Sequence, residues 1–199
     1  MTVLAAAPAA EAQEREFGAK AGPSFAMLSF EPEESGDYQH RVSADGGGFF
    51  VFPLSRTIAL QFEALFTSRG AKLYDPETDL TGAILLQYFE LPVLLRLEGP
   101  GSASRALHFF AGPYVGFRLS AKREISSYVN SIRGGSKESI ANEIETMQFG
   151  VSAGAGVDIG RRLVIDGRYS RGLTPLNTDR SEGFRIRSSA ISIMAGVRF

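Results

Sequence analysis

Apolar and polar positions alternate one by one over most of this chain. Residues 57–68 are the cleanest case: Ile58, Leu60, Phe62, Ala64 and Phe66 fall on one side, and Gln61, Glu63 and Thr67 on the other. A period of two marks a strand whose two faces meet different surroundings. The pattern returns at 83–97, where Leu85, Phe89, Leu91, Val93, Leu95 and Leu97 stand opposite Tyr88, Glu90 and Arg96. It returns again at 106–120, 146–159, 162–172 and 184–199, with Met194 as an apolar exception on the last polar face. Segments 17–30 and about 45–52 bring the predicted strands to eight. No run approaches the ~18–20 apolar residues that a membrane helix needs.

The connections alternate in length. Residues 53–56, 98–105 and 160–161 are short links, whereas 31–44, 70–82, 121–145 and about 173–183 are longer and polar. Short turns on one rim and long loops on the other predict an all-β fold: an eight-stranded antiparallel up-and-down transmembrane β-barrel, with both termini at the short-turn rim. A soluble barrel with a greasy interior alternates in the same way. Two features favour the membrane form. One face carries Leu, Ile, Val, Phe and Ala almost without interruption, where a water-facing surface would need Lys and Glu. The other is rich in Gly and Ser with isolated charges, as suits the cramped lumen of eight strands.

The last strand runs from Ile191 through Ile193, Ala195 and Val197 to a terminal Phe199. This ending resembles the C-terminal signature of bacterial outer-membrane barrels, and the resemblance implies that Phe199 is part of the signal read by the barrel-insertion machinery. Four internal motifs narrow the likeness. The run from Gln61 through Glu63 and Ser68 to Gly70 resembles one strand of PorT-type outer-membrane β-barrel proteins. Tyr88-Phe89-Glu90-Leu91-Pro92-Val93-Leu94-Leu95-Arg96 resembles another. Ala111-Gly112-Pro113-Tyr114-Val115-Gly116 and Asp166-Gly167-Arg168-Tyr169-Ser170-Arg171-Gly172-Leu173 are similar to two more. They occur in family order, from Phe17 to Phe199. Phe66 departs from the family's usual tyrosine, and loop 121–145 is long. The resemblance implies little chemistry; its namesake branch is implicated in protein secretion and gliding-type systems.

Composition adds constraints. At 199 residues the chain fits one domain, and its formal net charge of −1 gives no sign of nucleic-acid binding. The chain has no cysteine, which rules out disulfides and thiolate chemistry within it. Ala10-Glu11-Ala12 resembles the small-x-small cleavage site of a secretory signal, so residues 1–12 are expected to be a signal-peptide remnant or disordered leader, and 13–199 the barrel.

Seven charges are expected in the lumen: Glu63, Glu90, Arg96, Arg118, Asp158, Asp166 and Arg168. Charges inside a low-dielectric wall must pair or meet water, so they form either a salt-bridged plug or an ion path, and eight strands favour the plug. Catalysis is poorly supported. His40 lies in a predicted polar loop near Ser35 and Ser43, His108 lies near the short-turn end of a strand, and no spacing specifies a triad. No metal-ligand spacing is present; Asp75, Glu77 and Asp79 alternate in one loop and read as a solvated acidic segment. Gly46-Gly47-Gly48 lacks the Lys-Ser/Thr of a phosphate loop. No cofactor is expected.

Arg69, Lys72, Lys122, Arg123, Arg133, Lys137, Arg171, Arg180, Arg185 and Arg187 are assigned to the outer loops, among Glu124, Glu138, Glu143 and Glu145. Arginine geometry suits lipopolysaccharide phosphates. The expectation is therefore a bacterial outer-membrane barrel with a structural or partner-binding role through its outer loops. Its expected partners are outer-membrane lipid including lipopolysaccharide, the insertion machinery and a protein at the loops. The alternatives are a narrow channel or transporter, a secretion-system component, and an outer-membrane lipid enzyme.

Overall fold

The computed structural model describes residues 16–31, 38–75, 80–102, 105–129, 132–141, 144–177 and 185–199. The expected leader, residues 1–12, lies outside them. The described chain forms nine strands: β1 (Glu16–Glu31), β2 (Tyr38–Pro53), β3 (Ile58–Asp75), β4 (Leu80–Ser102), β5 (Arg105–Val129), β6 (Ile132–Ser139), β7 (Met147–Ile159), β8 (Leu163–Gly172) and β9 (Arg185–Arg198). Eight of them close into a ring of antiparallel pairs, β1-β2-β3-β4-β5-β7-β8-β9, sealed where β9 returns to β1. The Phe199 amide donates to the Phe17 carbonyl at 2.9 Å, and the two rings meet with centroids 5.7 Å apart across that seam.

The ninth strand corrects the expectation that 121–145 is loop. β5 pairs with β7 through its first half, from Arg105↔Ile159 to Phe117↔Met147. Its second half then pairs with β6, from Lys122↔Ser139 to Val129↔Ile132. The β5–β6 hairpin thus extends the wall beyond the barrel. The upper parts of β3 and β4 rise with it and stay paired to Asp75↔Leu80. Residues 38–44, expected as loop, belong to β2, so His40 sits on a strand; the 98–105 link shrinks because β4 reaches Ser102 and β5 starts at Arg105. At 23 and 25 residues, β4 and β5 far exceed the ~9–11 needed to cross a bilayer, whereas β8 has 10. The wall is tall on one side and short on the other.

A β-bulge explains why alternation fails at the top of β5. Tyr88 pairs with Arg118 but Gln87 pairs with Ser120, leaving Leu119 as the extra residue. Ala121 beyond it returns to the buried side. Two glycines hold backbone that other residues rarely adopt. Gly160 turns the β7–β8 hairpin at φ +60, and Gly70 on β3 has φ +150, where a Cβ would lie 2.0 Å from the Ile84 carbonyl oxygen.

The two faces of the wall are opposite in kind. Phe17, Phe62, Phe66, Leu95, Phe109, Phe149, Ile191 and Ile193 are exposed on the outside. Lys20, Asp45, Glu63, Arg69, Glu90, Arg96, Asp166 and Arg168 are buried inside. A barrel turned this way is matched to lipid and not to water.

Candidate lumen network

Large inward side chains fit because glycines face them. Tyr114, Phe110 and His108 on β5 stand in register with Gly150, Gly154 and Gly156 on β7. A Cβ at Gly150 would sit 2.3 Å from the Tyr114 ring, and one at Gly156 would sit 2.4 Å from His108 Nε2. One wall lends its volume to the other, which leaves the centre free for long charged side chains.

Those side chains form three tiers. Nearest the short-turn rim, Arg96 Nη2 meets Asp158 Oδ2 at 2.5 Å and its Nε meets Glu98 Oε1 at 2.7 Å. Arg198 joins Asp158 at 2.6 Å and Glu16 at 2.7 Å. His108 Nδ1 lies 3.5 Å from Asp158 Oδ1, and its ring stacks on Phe110. A cavity of about 240 Å³ opens on this rim between Glu16, Pro53, Arg56 and Glu98.

In the middle tier, Lys20 Nζ donates to Glu63 at 2.8 Å and Asp166 at 2.7 Å, and Arg168 Nη2 meets Glu63 at 2.7 Å. The Phe110 ring takes both cations on its face, Lys20 Nζ at 5.8 Å and the Arg168 guanidinium at 5.1 Å from its centroid. Gln61 connects the lower two tiers, accepting from Arg96 Nη1 at 3.2 Å and donating to Glu63.

In the upper tier, Arg69 grips Glu90 with Nη2 at 2.9 and 3.1 Å and Asp45 with Nη1 at 3.1 Å. Thr67 donates to Glu90 at 2.8 Å, and Ser192 donates to Asp45 at 2.8 Å.

Above the charges the lumen turns apolar. Leu28, Ala71, Leu86, Tyr88 and Ala121 point in from four strands, and Ile140, Ile144 and Leu176 from the connecting segments pack among them. Backbone bonds hold these segments in place: Leu176 N to the Ile186 carbonyl at 2.7 Å, Glu145 N to the Leu176 carbonyl at 2.7 Å and Ile140 N to the Ala121 carbonyl at 3.1 Å. Arg118 donates to the Ala141 carbonyl.

Six of the seven charges expected in the lumen therefore lie buried in the tiers. Arg118 is half-buried at the long-loop mouth, where it holds a backbone segment. Lys20, Asp45, Glu16, Glu98 and Arg198, together with His108, join the network beyond the seven charges expected from the sequence. Arg69 requires a correction. Expected among the outer-loop cations, it is 1% exposed, because β3 continues past Ser68 and keeps the residue on the inner face. Alternation extended two residues from Thr67 would have found it.

Other candidates do not come together. Ser43 Oγ donates to backbone carbonyls of Ser24 and Ser68, and Ser35 lies outside the described residues. Glu77, Asp79, Glu143 and Arg180 also lie outside them. Among the described residues no three His, Asp or Glu side chains converge as metal ligands. Gly46-Gly47-Gly48 falls within β2, where a Cβ at Gly47 would lie 2.0 Å from the Ala64 carbonyl oxygen.

Comparison with known proteins agrees with this architecture. The family model described as outer membrane protein beta-barrel domain matches residues 11–177. Among solved structures the chain is similar to Ail, the attachment invasion locus protein of Yersinia pestis, at TM-score 0.50 and 13% identity, covering 94% of this chain and 100% of that one. It is also similar to the outer membrane protein OprG from Pseudomonas aeruginosa, at TM-score 0.50 and 11% identity, covering 92% and 95%. At these identities the likeness concerns the fold. No curated protein sequence matches the chain.

Proposed function

Since this chain belongs to the outer membrane protein beta-barrel domain family and resides in the bacterial outer membrane, we propose that it is a plugged, non-conducting barrel that displays an outer wall to a protein partner. The observation that carries the reading is the filled lumen. Three ion-paired tiers and an apolar cap follow one another along the axis, and the middle tier joins opposite walls. Buried pairs of this kind stabilise little over an apolar filling, but losing one partner strands a charge, so they fix register and hold the wall rigid. Rigidity suits a display platform. The β5–β6 hairpin and the upper β3 and β4 supply the displayed surface, beyond the apolar belt.

Within the family, the four strand motifs support a PorT-type barrel; a component of a secretion system is the alternative role. Planar-bilayer recording tests the plug: the refolded protein should leave conductance at the lipid baseline. Steady unitary currents would overturn the proposal and favour a narrow channel. In-cell cross-linking from the β5–β6 hairpin should capture a protein that is lost when the hairpin is cut back to a short turn.

A further inference from the structure

Charge is distributed unevenly on the outside of the barrel. β8 alternates exposed and buried from Leu163 to Gly172, which puts Arg171 on the outward face with Leu163, Ile165 and Tyr169. On β9, Arg185, Arg187 and Ser189 share the outward face with Ile191, Ile193, Ala195 and Val197. Arg171 stands opposite Ser189, so Arg187 is its diagonal neighbour on the same face, about 7–8 Å away between backbones. Arg185 follows two residues on, opposite Glu31 of β1. Arg171 and Arg185 are exposed and Arg187 is half-buried.

Height gives this cluster its meaning. From Phe199 to Arg187 the strand rises about 40 Å in length, and about 28–32 Å in height at the usual tilt. An outer-membrane barrel carries an apolar band about 25 Å tall. Below Arg171 and Arg187 the outward faces of β8, β9 and β1 bear no charge among the described residues; they present Tyr169, Ile191, Phe25 and Met27, all exposed. The first charged groups above the acyl chains are therefore guanidiniums, two or three within one side chain's reach of each other. A planar fork of donors fits phosphate better than water or an ammonium does.

We propose that Arg171, Arg185 and Arg187 form a binding site for the phosphate of an outer-leaflet lipid, with the acyl chains lying along Tyr169, Ile191 and Phe25. The site lies on the short side of the wall, away from the tall β3–β6 surface, so lipid and protein partners would take different faces. The inference rests on the outer-membrane reading but not on the plug.

The test is native mass spectrometry of the refolded barrel in micelles, with bisphosphorylated lipid A, its dephosphorylated form and inorganic phosphate as probes. The intact protein should retain one bisphosphorylated lipid. R171Q/R185Q/R187Q should weaken that binding at least tenfold while keeping the heat-modifiable band, whereas K122Q on β5 should not change it. Dephosphorylated lipid should bind at least tenfold more weakly, and millimolar phosphate should not displace the lipid. Equal retention by the triple variant, equal binding of the dephosphorylated lipid or displacement by phosphate alone would each overturn the assignment. If the triple variant fails to refold, R171E alone should give the same loss, and unchanged binding by it would be equally decisive. Failure here would leave a folded, non-conducting barrel, so the two readings fail separately.

Discussion

Arg168 and Glu63 stand on opposite walls of the barrel and touch at 2.7 Å. Arg168 lies on β8 and Glu63 on β3, and the path between them runs β8-β9-β1-β2-β3, four steps around a ring of eight. No larger separation exists in the ring. Lys20 on β1 and Phe110 on β5 are likewise four steps apart and within 5.8 Å. Two diameters cross at one height, so the lumen is filled there by side chains and the strands are tied across the centre as well as along their edges.

Glu63→Gln tests that tie. The change keeps the volume but removes the carboxylate that Lys20 and Arg168 share, leaving Asp166 with Lys20 and Arg168 without its cross-wall partner. Stranding a buried cation by deleting its partner typically costs about 3–5 kcal/mol. The urea midpoint of the heat-modifiable form in micelles should fall accordingly. A midpoint equal to that of the parent would mean that the pair contributes nothing to holding the walls together.

Glu90→Gln separates the plug from a pore. Both carboxylate oxygens of Glu90 accept from Arg69 Nη2, and Oε1 also accepts from the Thr67 hydroxyl, all buried. Its loss should lower the melting temperature of the barrel while conductance stays at the lipid baseline. A variant of unchanged stability with altered ion flux would make the upper tier part of a pathway.

Most of the barrel was legible in the sequence because the lipid-facing side reads simply: every outward position from Ile58 to Phe66 and from Phe89 to Leu97 is apolar. The lumen was legible wherever a charge interrupted such a run, as at Glu63, Glu90, Arg96 and Asp166. Lys20 and Asp45 escaped because their neighbours Ala19, Ala21, Ala44 and Gly46 are too small to mark a face. β6 escaped for a different reason. Strands that leave the bilayer no longer need an apolar side, so alternation fades while the hydrogen-bonded ladder continues. The Leu119 bulge shifts the phase as well.

The glycine ladder on β7 makes a prediction about coupling. The three atoms nearest a Cβ at Gly150 all belong to the Tyr114 side chain, Cζ, Cε1 and the hydroxyl oxygen, at 2.3–2.4 Å. Gly150→Ala should therefore destabilise the barrel by about 1–3 kcal/mol, as overpacking does. In a Tyr114→Ala background the same change should have almost no effect. A double-mutant cycle by urea unfolding reads the difference; additive effects would mean that the two side chains do not compete for one volume.

The absence of cysteine allows the orientation to be tested directly. Any introduced thiol is the only one in the chain, so labelling reports a single position. Ser136 lies on β6 in the hairpin beyond the barrel, and Ser55 lies in the exposed β2–β3 turn on the terminal rim. In outer-membrane barrels short turns face the periplasm and long connections face outward. Ser136→Cys should react with a membrane-impermeant maleimide on intact cells, and Ser55→Cys only after the outer membrane is permeabilised. Tyr88→Cys, under the Ile140, Ile144 and Leu176 cap, should resist labelling in both conditions and become reactive when Ile144 is changed to Asp, because a carboxylate cannot remain in that apolar cluster. Labelling of Ser55→Cys on intact cells would reverse the barrel in the membrane. Free labelling of Tyr88→Cys beneath an unaltered cap would show that the mouth opens on its own, and the hairpin would then flank an entrance to the lumen.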